Sequence, residues 1–255
     1  MSYNGLVLSG EKRLSRGTSI QTNYTWSHCL ADAVDIVADG PDAGESNVIP
    51  GNRRFDRGQC PGDRRHIFNL TGIAQMPPFE GRRTLTWVAS GWQLSGIYRR
   101  LSGQVLNILA GSDRALTGQL GFFAGAAYQR ADQVLPNSQA YTPGAGGPLT
   151  FWLNPAAFRV PALGTFGNYD RNNLTYVPEW SFDMALSRAF RLSESKRVEI
   201  RAEAFNVTNS FRPGPAPISI SVGANSFNTV SSSLFGQIRT ASDPRIMQFA
   251  LKYVF

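Results

Sequence analysis

The stretch that decides the fold is Arg245 to Phe255, R-I-M-Q-F-A-L-K-Y-V-F. Met247, Phe249, Leu251, Tyr253 and Phe255 fall on one side, and Ile246, Gln248, Ala250, Lys252 and Val254 on the other. This two-residue period is that of a strand with one strongly apolar face. A soluble sheet could turn such a face to its core. Here the pattern runs to the last residue, and an apolar strand ending in an aromatic equally suits a transmembrane β-barrel, whose strands are about 9 to 11 residues long with interfacial aromatics.

Working outward, the same alternation recurs. Ile20, Thr22, Tyr24 and Trp26 oppose Ser19, Gln21, Asn23, Thr25 and Ser27. A weaker strand runs from Leu6 to Arg13, with a turn at Ser15, Arg16 and Gly17. Further strands are expected over His66 to Met76, closed by Pro77 to Gly81, and over Gly91 to about Ile108. Trp180 to Ser187 and Val198 to Phe205 follow, joined by a turn at Ser193 to Lys196. Between these lie long stretches without periodicity: His28 to Arg65, Leu109 to Glu179 (with short strands expected near Phe122 and Phe151), and Asn206 to Pro244.

Short connections after the first, third and fifth strands therefore alternate with long ones after the second, fourth and sixth. Outer-membrane barrels show this asymmetry, with short turns on the periplasmic side and long loops outside. Structureless loops of this length are uncommon within compact soluble domains. The count is seven strands, whereas single-chain bacterial barrels have an even number. Further strands are thus expected upstream.

Composition agrees. With 16 Phe, 8 Tyr, 5 Trp, 25 Gly and 15 Pro in 255 residues, the chain reads as all-β with long loops. No run of 18 apolar residues exists, which excludes a transmembrane helix but not a barrel. The net charge of +7 comes from scattered basic residues, and no strand carries a basic stripe interleaved with aromatics, so nucleic acid is not an expected partner. The start, M-S-Y-N-G-L-V-L-S-G, lacks the order of a secretory signal. Taken with the barrel reading, this leads us to expect that the chain is a fragment of a longer exported protein.

The order of several motifs resembles one family. N-Y-T-W-S (Asn23 to Ser27), G-W-Q-L-S-G-I-Y (Gly91 to Tyr98), W-L-N-P-A-A-F (Trp152 to Phe158) and G-T-F-G-N (Gly164 to Asn168) are similar to the C-terminal barrel of Oar-like TonB-dependent outer-membrane receptors. So are R-A-E-A-F-N-V-T-N (Arg201 to Asn209), F-G-Q-I (Phe235 to Ile238) and the terminal D-P-R-I-M-Q-F-A-L-K-Y-V-F. The resemblance spans nearly all of residues 1–255 and implies a barrel of about 22 strands with a plugged lumen. It implies import of a scarce ligand across the outer membrane with energy relayed by TonB, and an upstream plug. The family's plug, TonB box and N-terminal regulatory-like domain have no counterpart in this sequence. It further implies that Phe249, Leu251, Tyr253 and Phe255 form the signal read by the barrel assembly machinery, edge pairing of such a strand being a physical route to insertion. Two other readings stay open: a plug-free, porin-like or structural barrel, and a soluble β-sandwich binding module.

Smaller constellations have both a functional and a plain reading. Cys29 and Cys60 are the two cysteines, and in an oxidising compartment a disulfide would pin the first long loop, contributing about 3 kcal/mol or somewhat more. In a cytosolic protein they would be free thiols. Asp32, Asp35, Asp39, Asp42 and Glu45 lack the spacing of an EF-hand calcium loop. Arg53, Arg54 and Arg57 could grip lipopolysaccharide phosphates or an anionic ligand by bidentate contacts, against the simpler reading of a solvated loop. Glu199, Arg201 and Glu203 share the polar face of one strand and are expected to pair structurally. His28 and His66 stand at strand ends, and no catalytic motif accompanies them, so neither an enzyme nor a cofactor is expected.

Overall fold

The computed structural model describes residues 1–15, 17–32, 48–49, 51–77, 90–118, 129–214 and 227–255. Seven long strands form one antiparallel meander: β1 (Ser2–Ser15), β2 (Thr18–Ala31), β3 (His66–Gln75), β4 (Trp92–Leu101), β5 (Glu179–Arg191), β6 (Arg197–Phe205) and β7 (Ile246–Val254). They lie side by side in chain order, and a two-residue strand, Gly58–Gln59, adds to the end of β2 as the eighth member of the sheet. Among the described residues the helices are short 3₁₀ turns at Arg53–Asp56, Asn137–Gln139 and Pro155–Ala157.

The register carries the alternation across every strand. One row of directly opposed residues runs Leu8, Tyr24, Phe68, Arg100 and Trp180, apolar except for Arg100 near the long-connection end, and another runs Leu94, Leu186, Ala202 and Phe249. One-residue slips would flip these side chains to the other face, so such agreement across the pairings makes one face of the whole sheet apolar. The opposite face carries Asn23, Asn69, Arg99 and Ser181 in one row, and Ser187, Arg201 and Ala250 in another. Arg201 bridges Glu199 and Glu203 on that face at 3.8 and 3.3 Å, and Glu203 accepts from Gln248 of β7.

Among the described residues the apolar face has no second layer. Phe249 and Leu251 are 76% and 75% exposed, and Leu6, Leu8, Leu94 and Ile200 are exposed too. A large uncovered apolar surface marks an interaction face rather than a core. Aromatic side chains edge it at both ends. Phe68, Trp180 and Phe182 surround Tyr98 at ring distances of 6.2 to 6.5 Å at the long-connection end. At the other end Tyr253 stacks on Phe255, and the Arg188 guanidinium lies 4.2 Å from the Phe190 ring and 5.6 Å from Trp92. From Phe182 to Phe190 is about 26 Å of strand at roughly 3.3 Å per residue.

The sheet does not close on itself: β1 and β7 are its outer strands, as seven strands of a larger barrel would leave them. Two expectations need correction. First, β4 stops at Leu101 instead of continuing to Ile108, because the chain turns out of the sheet at Gly103. A Cβ there would stand 1.8 Å from the Tyr176 carbonyl, so the strand path gives way to a close backbone crossing. Second, the described part of Leu109 to Glu179, although irregular as expected, is tightly packed and supplies most of a hydrophobic core. Near Phe151 the expected strand is a single bridge to Gln237. Arg16, Asp35, Asp39, Asp42, Glu45, the Pro78 to Gly81 turn and the strand near Phe122 lie outside the described residues.

Candidate functional site: a loop cap over the polar face

The described parts of the three long connections converge at one end of the sheet and fold together. Val105–Leu106 pairs with Leu174–Thr175, and Asp132–Gln133 with Phe158–Arg159. Leu109 bridges Arg130 on one side and Thr229, from the third connection, on the other. Leu106, Ile108, Leu153, Tyr169 and Ile238 are almost fully buried here. Phe158 meets Tyr169 and Phe235 edge-on at 6.0 and 5.5 Å, and Tyr176 meets Phe227 at 5.1 Å, the offset geometry that aromatic rings prefer. Tyr169 is enclosed with its hydroxyl satisfied, donating to the Leu106 carbonyl and accepting from the Leu174 amide, each at 2.9 Å. Burial pushes its phenol far above the ordinary range, and pushes Tyr176 up to about 12 with help from the Glu179 carboxylate.

Charged side chains lock the first connection onto the second. Arg130 Nη1 donates to Asp56 Oδ1 at 2.8 Å, and the two side chains are 3% and 0% exposed. Each remaining polar atom of the two side chains also has a partner. Asp56 Oδ2 accepts from the Val48 amide, while Arg130 Nε and Nη2 donate to the carbonyls of Tyr169 and Phe55. The guanidinium also lies 4.1 Å from the centre of the Phe55 ring. Arg171 Nη1 reaches the carbonyls of Ala31 and Asp56, and Gln59 and Asn172 exchange side-chain to backbone hydrogen bonds. Gly58 lets these backbones meet, since a Cβ there would lie 2.3 Å from the Arg171 carbonyl.

The cap sits over the polar face rather than beyond the strand ends alone. Ser27, Cys29 and Ala31, which continue the polar row of β2, are buried, whereas the intervening His28 and Leu30 are only half-buried. Asp63 accepts from Ser27 Oγ and the Cys29 amide at 3.5 and 3.4 Å. Arg64 pairs with Glu179, whose neighbour in register is the buried Leu101. The structure joins Cys29 to Cys60 in a disulfide that ties this loop to the end of β2.

The other residues singled out in the sequence are dispersed. Arg53, Arg54 and Arg57 stand exposed on or beside the 3₁₀ turn, and Arg57 pairs with Asp32 at 2.7 Å. They therefore do not converge with the core of the cap. Phe249, Leu251 and Tyr253 lie on the apolar face of β7, with Phe255 just past its end. The His66 ring is hydrogen-bonded to the Tyr24 hydroxyl at 2.8 Å. Among the described residues no group of three or more His, Cys, Asp or Glu side chains gathers as for a metal ion. The reading of the first long connection as a solvated loop does not anticipate the burial of Asp56, and nothing in the sequence singles out Arg130 or Arg171. Their partners lie 74 and 115 residues away, and no local pattern announces such pairs.

An antiparallel meander with one bare apolar face, one polar face, aromatics at both margins and all long loops at one end defines an outer-membrane β-barrel protein. Comparison bears this out: the family described as outer membrane beta barrel domain matches residues 1–248, and the chain belongs to that family. It is accordingly a protein of the bacterial outer membrane, its apolar face turned to lipid and its polar face to the lumen. Neither the curated proteins nor the solved structures gave a match.

Proposed function

We propose that this chain is the C-terminal part of a TonB-dependent receptor barrel that takes up a scarce ligand across the outer membrane. Its long loops face the exterior, as in other barrels of this membrane. The observation that carries the reading is the cap: the described parts of the three long connections fold together at the lumen side of the strands, where an arriving ligand would first be met. The ordered motifs from Asn23 to Phe255 that resemble Oar-like receptors support the same reading, including a complete barrel of about 22 strands with an upstream plug. In this account the partners are outer-membrane lipid and lipopolysaccharide, the barrel assembly machinery at β7, and the plug and TonB. Arg53, Arg54 and Arg57, exposed on the rim of the cap, are the side chains we assign to lipopolysaccharide phosphate or an anionic ligand. No step of bond-making chemistry is assigned to the chain.

The test compares nutrient depletion by cells carrying the intact gene with cells whose segment for residues 1–255 is deleted in frame, each with and without TonB. Uptake of one nutrient lost equally on either deletion supports the proposal. Uptake that needs the segment but is indifferent to TonB would replace it with a passive channel.

A further inference from the structure

Arg100 interrupts the apolar face near the long-connection end. It is exposed there, directly opposed by Phe68 on one side and by Trp180 on the other. Among the described residues no carboxylate pairs with it. His66, two positions from Phe68, is its diagonal neighbour on the same face, so the two side chains start about 7–8 Å apart. With the Tyr24 hydroxyl donating to His66 Nδ1 at 2.8 Å, Nε2 carries the hydrogen and is the ring's own donor. A guanidinium is costly in the middle of the hydrocarbon and close to neutral at its boundary, which sets Arg100 at the level of the lipid headgroups.

Deeper along the same strands the face is hollowed. Gly72 directly opposes Gly96, in a row that begins at Ile20 and continues to Met184. With no side chain at either glycine, a depression of about 260 Å³ opens between Ile20, Ala74, Leu94, Phe182 and Met184. Gly96 is four residues from Arg100, about 13 Å along the strand and about 10 Å in depth at the tilt of a barrel strand. Half of a hydrocarbon core of about 30 Å is deeper than that, so an acyl chain whose headgroup rests on Arg100 reaches the hollow within its own leaflet. A boundary anchor alone accounts for Arg100 and Trp180 but not for an apolar hollow aligned beneath them. We propose that this face holds one lipopolysaccharide molecule, its lipid A phosphate on Arg100 and His66 and one acyl chain ending against Gly72 and Gly96. Charge selects this occupant: the ligand must be anionic at the boundary on the side of the long loops, where the outer leaflet presents phosphorylated lipid A. The site is on the lipid face, apart from the rim arginines of the cap. The inference rests on the barrel family and on outward-facing loops, so it stands or falls independently of TonB-driven uptake.

Native mass spectrometry tests it on the product of the intact gene, purified from outer membranes in a mild detergent, stripped of lipid and titrated with lipopolysaccharide. The expected result is one bound lipopolysaccharide per protein, held about tenfold more weakly after Arg100→Gln, which removes a charge-assisted hydrogen bond to phosphate. Gly72→Leu should weaken it as well. A Cβ at Gly72 meets nothing within 4 Å, so the larger side chain fills the hollow without disturbing the sheet. Arg99→Gln, which removes an exposed cation from the neighbouring position on the opposite face, should leave the affinity unchanged. Heat-dependent migration on gels verifies that each variant has kept its barrel. The inference is overturned if phosphatidylglycerol, or lipopolysaccharide with its lipid A phosphates removed, binds as tightly as the intact molecule. It is equally overturned if either Arg100→Gln or Gly72→Leu leaves the affinity unmoved, or if Arg99→Gln lowers it as much as Arg100→Gln.

Discussion

At the residue scale, Asp56–Arg130 is the most deeply buried ion pair among the described residues of the cap. Both charges are removed from water with a partner at every nitrogen and oxygen, so losing one side chain leaves the other buried and uncompensated, a cost of about 3–5 kcal/mol. Arg130→Ala is expected to loosen the cap by that amount, read as faster proteolysis between β4 and β5 with the strands unaffected. Replacing both charges, as in Asp56→Leu with Arg130→Met, should recover most of the loss, because matched apolar groups leave nothing unpaired. Asp113 offers a pH test. Desolvation pushes its carboxyl up, but donation from the Thr117 and Gly118 amides, the Gln129 amide group and the Thr117 hydroxyl outweighs it, and the net displacement is below 3.8. With the folded value depressed, its contribution is present above 3.8 and lost as the pH falls through the lower folded value. Hydrogen exchange at Thr117 and Gly118, corrected for intrinsic rate, should therefore accelerate only on acidification below about pH 4.

At the scale of elements, the strands were legible in the sequence because membrane strands wear their environment on alternate residues. The terminal R-I-M-Q-F-A-L-K-Y-V-F and the Ile20 to Ser27 stretch needed nothing beyond period two, and their neighbours in register continue the same faces. The cap was not legible. Its core joins Leu106, Leu174 and Ile238, residues with no common period whose burial depends on the second and third connections meeting. The end of β4 was missed for a related reason, since Gly103 leaves the sheet to pass Tyr176, a contact that no local pattern encodes. Two predictions belong here. Breaking Cys29–Cys60, which closes a separation of 31 residues, should cost about 3–4 kcal/mol and show as reductant-sensitive proteolysis of the first loop. Met184→Arg on the apolar face of β5 should lower stability in a bilayer by about 2–4 kcal/mol, whereas Ala185→Arg, facing the lumen opposite Glu203, should be nearly neutral. Urea titration of the membrane-inserted protein measures both.

At the scale of the whole molecule, burial is inverted relative to a water-soluble β-protein. The hydrophobic core lies among the loops, and the broadest apolar surface, across seven strands, is bare. Membership of the outer membrane beta barrel family resolves this: lipid covers what water would not tolerate. A soluble β-sandwich would need a second layer against Phe249, Leu251 and their row, and none exists among the described residues. The most direct measurement is spin-label accessibility on the assembled protein in its membrane, with labels at Leu94, Ser95, Met184, Ala185, Ala250 and Leu251 introduced after the native disulfide has formed. The account predicts that Leu94, Met184 and Leu251 collide with oxygen and are shielded from a water-soluble nickel chelate, while Ser95, Ala185 and Ala250 do not share that lipid signature. Equal exposure of both sets to the nickel chelate would contradict a lipid-facing sheet.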